Sequence, residues 1–391
     1  MKIKRARFLL IVFLLVVTIT GCAGSQPTGF SGITYDNGFL YLGSLEGKIM
    51  AVNLSDRSQN LTFPAPGEWS YPLREPTGGG FSCGPQSIAV AIYGVPAVAG
   101  DRVFIGGYNG RVYALNASAR SRGRDFPQTR ENEWFYPKVG GVLGSIVGSP
   151  AIGDDAIYVT SSDGKVYCLD RDFGDKRWES AILSEKLWST PCVEGDSLYL
   201  TTFEGRLYAL SAEDGSVTWS FATKSGIGFV SSPLVYEGTL FAGTFDKRLY
   251  AVKVGEDEPL WEFPAGNCFW ATPVAGNGTV YAGCLDGRVY AIEADNGTEL
   301  WSFDAQSPIV VSPLLSGDLL IVASESGAIY LLKTAAAVDN RVVSEVSIGV
   351  PVQAAPCVQD GIVYVRGQDN FLYAVDLEQG KVTWRIGLSG E

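Results

Sequence analysis

The side chains able to carry chemistry in this 391-residue chain are few, and their spacing argues against most of it. Histidine is absent, which removes Ser-His-Asp triads, His-based zinc sites and haem–His ligation together. The cysteines Cys22, Cys83, Cys168, Cys192, Cys268, Cys284 and Cys357 form no CxxC pair, so neither a zinc cluster nor a redox dithiol is indicated. Cys268 and Cys284 flank the turn Gly276-Asn277-Gly278 and are the pair best placed to oxidise in an exported chain. The competing reading buries all six internal cysteines as small apolar residues. Asp170-Arg-Asp-Phe-Gly-Asp175 has the oxygens of a clipped calcium loop, yet it aligns with Ala212-Glu-Asp-Gly215 and Ala294-Asp-Asn-Gly297 and reads as a solvated turn. The glycine run Thr77-Gly-Gly-Gly-Phe81 lacks the GK[ST] ending of a phosphate loop. A net charge of −12 gives nucleic acid no electrostatic footprint.

The elements that position what remains begin after an address. Lys2, Lys4, Arg5 and Arg7 form a basic start, and the apolar run Phe8 to Ile19 is too short to span a bilayer. Ile19-Thr20-Gly21-Cys22 closes it and resembles the bacterial lipobox, which implies that Cys22 becomes the first mature residue and carries the lipid. Without the four signal cations, 26 basic side chains face 42 acidic ones, a mature charge of −16. Such a body gains nothing from an anionic surface, so the acyl chains must supply the membrane attachment. The expected organisation is a signal peptide over 1–21, a lipidated linker over 22–29 and one folded domain over 30–391.

That domain is repetitive. The segments around Gly47, Gly110, Gly164, Gly205, Lys247, Gly287, Gly327 and Asn370 share an Asp-Gly-Arg-Val-Tyr-like pattern at spacings of 63, 54, 41, 42, 40, 40 and 43. Seven of the eight copies carry a Pro-terminated lead (Pro96, Pro150, Pro191, Pro233, Pro273, Pro313, Pro356), and apolar runs separated by Gly/Asn/Asp turns follow. The sixth copy shows this as Thr279-Val-Tyr-Ala-Gly283, Arg288-Val-Tyr-Ala-Ile292 and Thr298-Glu-Leu-Trp-Ser-Phe303. The runs are apolar on both faces, so each sheet must be covered on both sides. Eight four-stranded antiparallel units near a period of forty predict an all-β, eight-bladed propeller.

Tryptophan keeps the same count. Trp69, Trp134, Trp178, Trp219, Trp261, Trp301 and Trp384 are spaced by 65, 44, 41, 42, 40 and 83, and the last interval skips copy seven. That copy also has Leu331 where others have Ala51, Ala114, Ala209, Ala251, Ala291 and Ala374. Large and small residues vanish together, so the alanine is expected to make room for a blade-docking indole.

The pattern Ala-x-(Asp)-x-x-x-Gly-x-x-x-Trp, as in Ala209 to Gly215 and Trp219, resembles the quinoprotein-type (PQQ-like) propellers. With a lipidated start and little beyond eight blades, the chain resembles the propeller lipoproteins of the outer-membrane β-barrel assembly machine. That resemblance implies a non-enzymatic scaffold without cofactor or metal, located in the cell envelope and facing periplasm or exterior. Its partners would be envelope proteins, a β-barrel assembly component among them, with no nucleic acid. The alternatives are a PQQ-dependent oxidoreductase and a cell-wall or extracellular ligand-binding module. The first resemblance would require a vicinal cysteine pair over the quinone, which this chain lacks.

What is left for function is surface. Trp188 and Trp270 stand outside the docking period, three residues before Pro191 and Pro273, and Phe229 and Phe269 stand four before theirs. The four are expected at the mouth of the central funnel as a partner-binding patch, or else as side chains that plug the funnel or pack between blades.

Overall fold

The computed structural model describes residues 29–389 except 56, 58–61, 66, 76–87, 119–132 and 225. Cys22 and Cys83 lie outside the described residues. Eight four-stranded antiparallel sheets follow one another at 33–72, 97–136, 151–179, 192–222, 234–264, 274–304, 314–347 and 357–387. A two-stranded ribbon of Arg74–Glu75 with Ile88–Ala89 stands between the first two. In every blade the strands pair in chain order, as in Val274–Gly276, Thr279–Gly283, Arg288–Glu293 and Glu299–Asp304 of blade 6. First strands of neighbouring blades touch around the axis, blade 1 against blade 8 included.

Local chemistry explains the hairpins. The turn between second and third strands needs a left-handed residue, and Gly287 adopts φ 90° there. Copies without that glycine place Lys247 and Asn370 at φ 69° and 61°. At the far end of strand three, the N–H of Ser211 donates to Ser216 O at 2.9 Å across a tight turn, and Glu293 does the same to Thr298. Blades 1 and 2 have longer turns, and a buried glutamate takes over. Glu68 accepts from Asn53 N at 2.8 Å, and Glu133 from Asn116 N at 3.2 Å. This accounts for the Glu-Trp pair shared by those two copies alone.

Eight hydrophobic clusters fill the eight junctions, each drawing side chains from two adjacent blades. The tryptophan device is built as the sequence suggests. Trp69, Trp134, Trp219, Trp261, Trp301 and Trp384 pair across the sheet with Ala51, Ala114, Ala209, Ala251, Ala291 and Ala374. Cys168 takes the small position opposite Trp178, and in blade 7 Leu331 faces Ser344, an inversion of large and small. The indoles reach the next blade: Trp134, Trp178, Trp261 and Trp301 donate to the carbonyls of Arg171, Ala212, Ala294 and Thr334 at 2.8–3.2 Å. The glycine of the repeat lies over the tryptophan of the preceding blade. A Cβ on Gly215 would stand 2.5 Å from the Trp178 ring, so no other residue fits without displacement. Blade 7 has no such glycine, and there Arg341 lies over Trp301 at 3.8 Å.

Among the described residues, no strand is exchanged to close the ring. At the junctions of blades 3 with 4 and 4 with 5, the last residue of strand two clasps the next blade: Thr160 Oγ1 donates to Ser189 O at 2.6 Å and Thr201 Oγ1 to Ser231 O at 2.7 Å. At the seam the equivalent residue of blade 8 is Arg366, which donates to Gly43 O at 2.9 Å and Gly29 O at 3.0 Å. Burial pulls its guanidinium down to about 10. Ile33 N completes the seam with Ala355 O at 3.1 Å.

Candidate functional site

The succession of antiparallel strands puts the turns between strands two and three, and the connections between blades, on one face. Each connection arrives at its Pro position extended, so neighbouring side chains point opposite ways. The residue four before it is buried in every blade: Gly29, Ile92, Ile146, Leu187, Phe229, Phe269, Ile309 and Val352. The residue three before it is exposed or half-exposed in every blade. This second set is a collar of Phe30, Tyr93, Val147, Trp188, Val230, Trp270, Val310 and Gln353. Seven are apolar, and Gln353 donates to Glu325 at 3.0 Å.

Two of the four expected surface aromatics therefore need correction. Phe229 and Phe269 are 1% and 0% exposed and pack between blades, because one residue of offset reverses the side chain. Trp188 is half-buried, Trp270 is 46% exposed, and the two share one site. Phe203 and Phe245, at the tips of the second turns of blades 4 and 5, bridge them. Ring centroids run Trp188–Phe203 5.3 Å, Phe203–Phe245 5.9 Å and Phe245–Trp270 6.5 Å. Beneath the arc is a cavity of about 210 Å³ that Thr201, Ser232 and Thr272 also line, with Phe229 at its floor. Lys186 lies over Trp188 at 6.0 Å, and the buried Trp188 Nε1 meets no acceptor among the described residues. Phe30, Tyr93 and Tyr108 form a smaller arc across the axis. Phe203 and Phe245 were readable in one respect: they put an aromatic two residues before the turn Gly or Lys, where a hairpin asks for polar residues.

The recurring turn carboxylates are structural. Asp163 and Asp286 accept from the hydroxyls of Tyr167 and Tyr290 at 2.8 Å, and burial with that carboxylate pushes both tyrosines up. Asp170 accepts from the N–H groups of Asp172 and Phe173 and from Arg177 at 2.7–2.9 Å, so the calcium-like run is a capped turn. Among the described residues, no three His, Cys, Asp or Glu side chains gather as a metal centre. Cys268 and Cys284 are free thiols that point at different carbonyls, Phe245 O and Asn267 O. Burial pushes Cys284 up to about 12.

Eight four-stranded blades with docking tryptophans, closed into a ring, define an eight-bladed repeat propeller. The profile of the PQQ-repeat family described as "Outer membrane protein assembly factor BamB" matches residues 67–180, 124–268, 246–336 and 285–391, and the chain belongs to that family. Among solved structures, BamB from Moraxella catarrhalis is similar at TM-score 0.61 and 16% identity, covering 92% of this chain and 95% of that one. The computationally designed Ika8 protein is similar at TM-score 0.60 and 12% identity, over 76% of this chain and 86% of its own. At those identities the likeness concerns the fold. No curated protein matches the sequence.

Proposed function

We propose that the protein is a non-catalytic scaffold of the cell envelope, anchored by lipid on Cys22, that grips another envelope protein at the funnel mouth in the manner of a BamB-type assembly factor. One observation carries the reading: an aromatic arc of Trp188, Phe203, Phe245 and Trp270 over a cavity with an unmet indole donor. Clustered aromatics around a desolvated pocket are the usual anchors of protein contacts, and Trp188 Nε1 offers a hydrogen bond to a peptide carbonyl. In a host with an outer membrane the partner is a component of β-barrel assembly.

The test compares Trp188→Ala and Trp270→Ala with the parent. Both variants are expected to keep the parent's denaturant midpoint. Each weakens capture of the partner crosslinked at the mouth by about 2 kcal/mol, roughly thirtyfold. Unchanged capture removes the mouth as the contact. A stoichiometric complex with PQQ and calcium that oxidises alcohols replaces the scaffold with an enzyme.

A further inference from the structure

Exposed apolar side chains occur at both ends of the blades. Phe173, Val217, Leu260, Leu300 and Val343 lie at or just before the start of outer strands, at 68%, 46%, 49%, 37% and 48% exposure, and Val139, Val142, Ile182, Ile227, Phe245 and Trp270 lie in blade connections and second turns, at 90%, 55%, 70%, 36%, 39% and 46%. The most exposed of this second group are aliphatic and cluster in one sector. Residues 137–150 link blade 2 to blade 3, and Ile182 lies in the next connection, where its side chain approaches Gly164. The first loop is pinned at its base, with Leu143 N donating to Gly110 O at 3.0 Å and Ile146 N to Gly107 O at 3.3 Å. Its tip, Val139-Gly-Gly-Val142, is held out and carries no charge. Lys138 beside it is paired with Asp175. A cleft of about 420 Å³ lies underneath.

The tether joins the fold at the same face. Gly29 is fixed by Arg366, and Phe30 belongs to the collar, so the described chain begins at the funnel mouth. Seven residues separate Gly29 from Cys22, a span of at most about 25 Å. Reaching the opposite face would mean crossing about 20 Å of collar and blade and then descending a strand of about 20 Å, which exceeds that span. Aliphatic tips with about 25 cal/mol per Å² to gain are thus held against whatever surface the acyl chains enter.

We infer that the funnel face is apposed to the bilayer, and that Val139, Val142 and Ile182 insert into its interface as a second contact beside the tether. The inference rests on the reading that Cys22 is acylated. It also narrows the partner of the mouth to a membrane-proximal segment of an envelope protein. With a mature charge of −16, the contact is to neutral lipid and is weakened by anionic lipid.

The experiment places the full acylated chain on phosphatidylcholine vesicles and follows amide exchange of residues 138–144 and 181–184. The Cys22→Ser chain with the same vesicles is the reference. Slowing of about fivefold or more in both segments is expected. It should be lost in a Val139→Asp, Val142→Asp, Ile182→Asp variant that stays vesicle-bound through its lipid. An acylated, vesicle-bound chain with unprotected tips overturns the inference alone. A chain that mass spectrometry finds without acyl groups, and that stays off vesicles, overturns it together with the tether. Protection appearing only after envelope proteins are added assigns the tips to a protein and overturns the lipid contact.

Discussion

The junction between blades 3 and 4 and the seam between blades 8 and 1 solve one problem with different chemistry. At the first, Trp178 lies under Gly215 and donates to Ala212 O at 3.0 Å, while Thr160 clasps Ser189 O. A covalent connection from blade to blade stands behind these contacts, so any opening is short-lived and cheap neutral hydrogen bonds suffice. The seam has no covalent connection and, among the described residues, no exchanged strand. In place of a threonine it uses a buried arginine that holds two carbonyls of blade 1 without a carboxylate partner among the described residues. Charge-assisted hydrogen bonds are roughly twice as strong as neutral ones, and they are spent where the chain itself gives no help. Of the six remaining junctions, five also pack a recurring indole, and the one between blades 7 and 8 holds without one.

Three single variants and one double-mutant cycle sharpen this contrast. The largest effect is expected from Trp261→Ala, which removes a buried indole lying under Gly297 and bonded to Ala294. It should cost on the order of 3–5 kcal/mol in a denaturant melt. Next is Arg366→Ala, which orphans the carbonyls of Gly29 and Gly43 and should cost about 3 kcal/mol. Thr201→Val at an ordinary junction should cost about 1 kcal/mol. Amide exchange of Ile33, bonded to Ala355, should rise in the arginine variant. Equal costs for the arginine and threonine variants would break the contrast. The smallest effect concerns blade 7. Gly380 of blade 8 already lies near Ser344, so Ser344→Trp combined with Leu331→Ala should rebuild the missing dock. The pair is expected to be about 1–2 kcal/mol more stable than the sum of the single variants, measured as a double-mutant cycle.

How much of this could be read from the chain depended on repetition. The eight blades and the Trp–Ala pairing recur, so each copy checks the others, and even the Leu331–Ser344 exception showed itself as a paired loss. The funnel mouth was half legible. Trp188 and Trp270, three before proline, lie in the collar, whereas Phe229 and Phe269, four before it, lie in the core between blades. In extended chain a one-residue difference decides which way a side chain faces, and hydrophobicity alone does not reveal that parity. Phe203 and Phe245 sit inside the repeat signature, where the regular pattern masked them. The seam was illegible for the opposite reason: Arg366 does a job done once, and nothing in seven other copies announces it. Nor does spacing say that a repeat glycine touches the tryptophan of the preceding blade, because that contact is set by the stacking of sheets.

Arg366 also decides how the molecule bears mechanical load. Any pull along the residues before Gly29 arrives first at a carbonyl that this guanidinium grips, and the same side chain holds Gly43 at the far end of the neighbouring strand. Tension is therefore shared between the first and last blades before it reaches the opening hairpin of Ile33–Asp36 with Phe39–Gly43. Without that grip, force would peel the hairpin one bond at a time. With it, the seam must shear as a unit, so the weakest covalent point of the ring doubles as its load-bearing buckle.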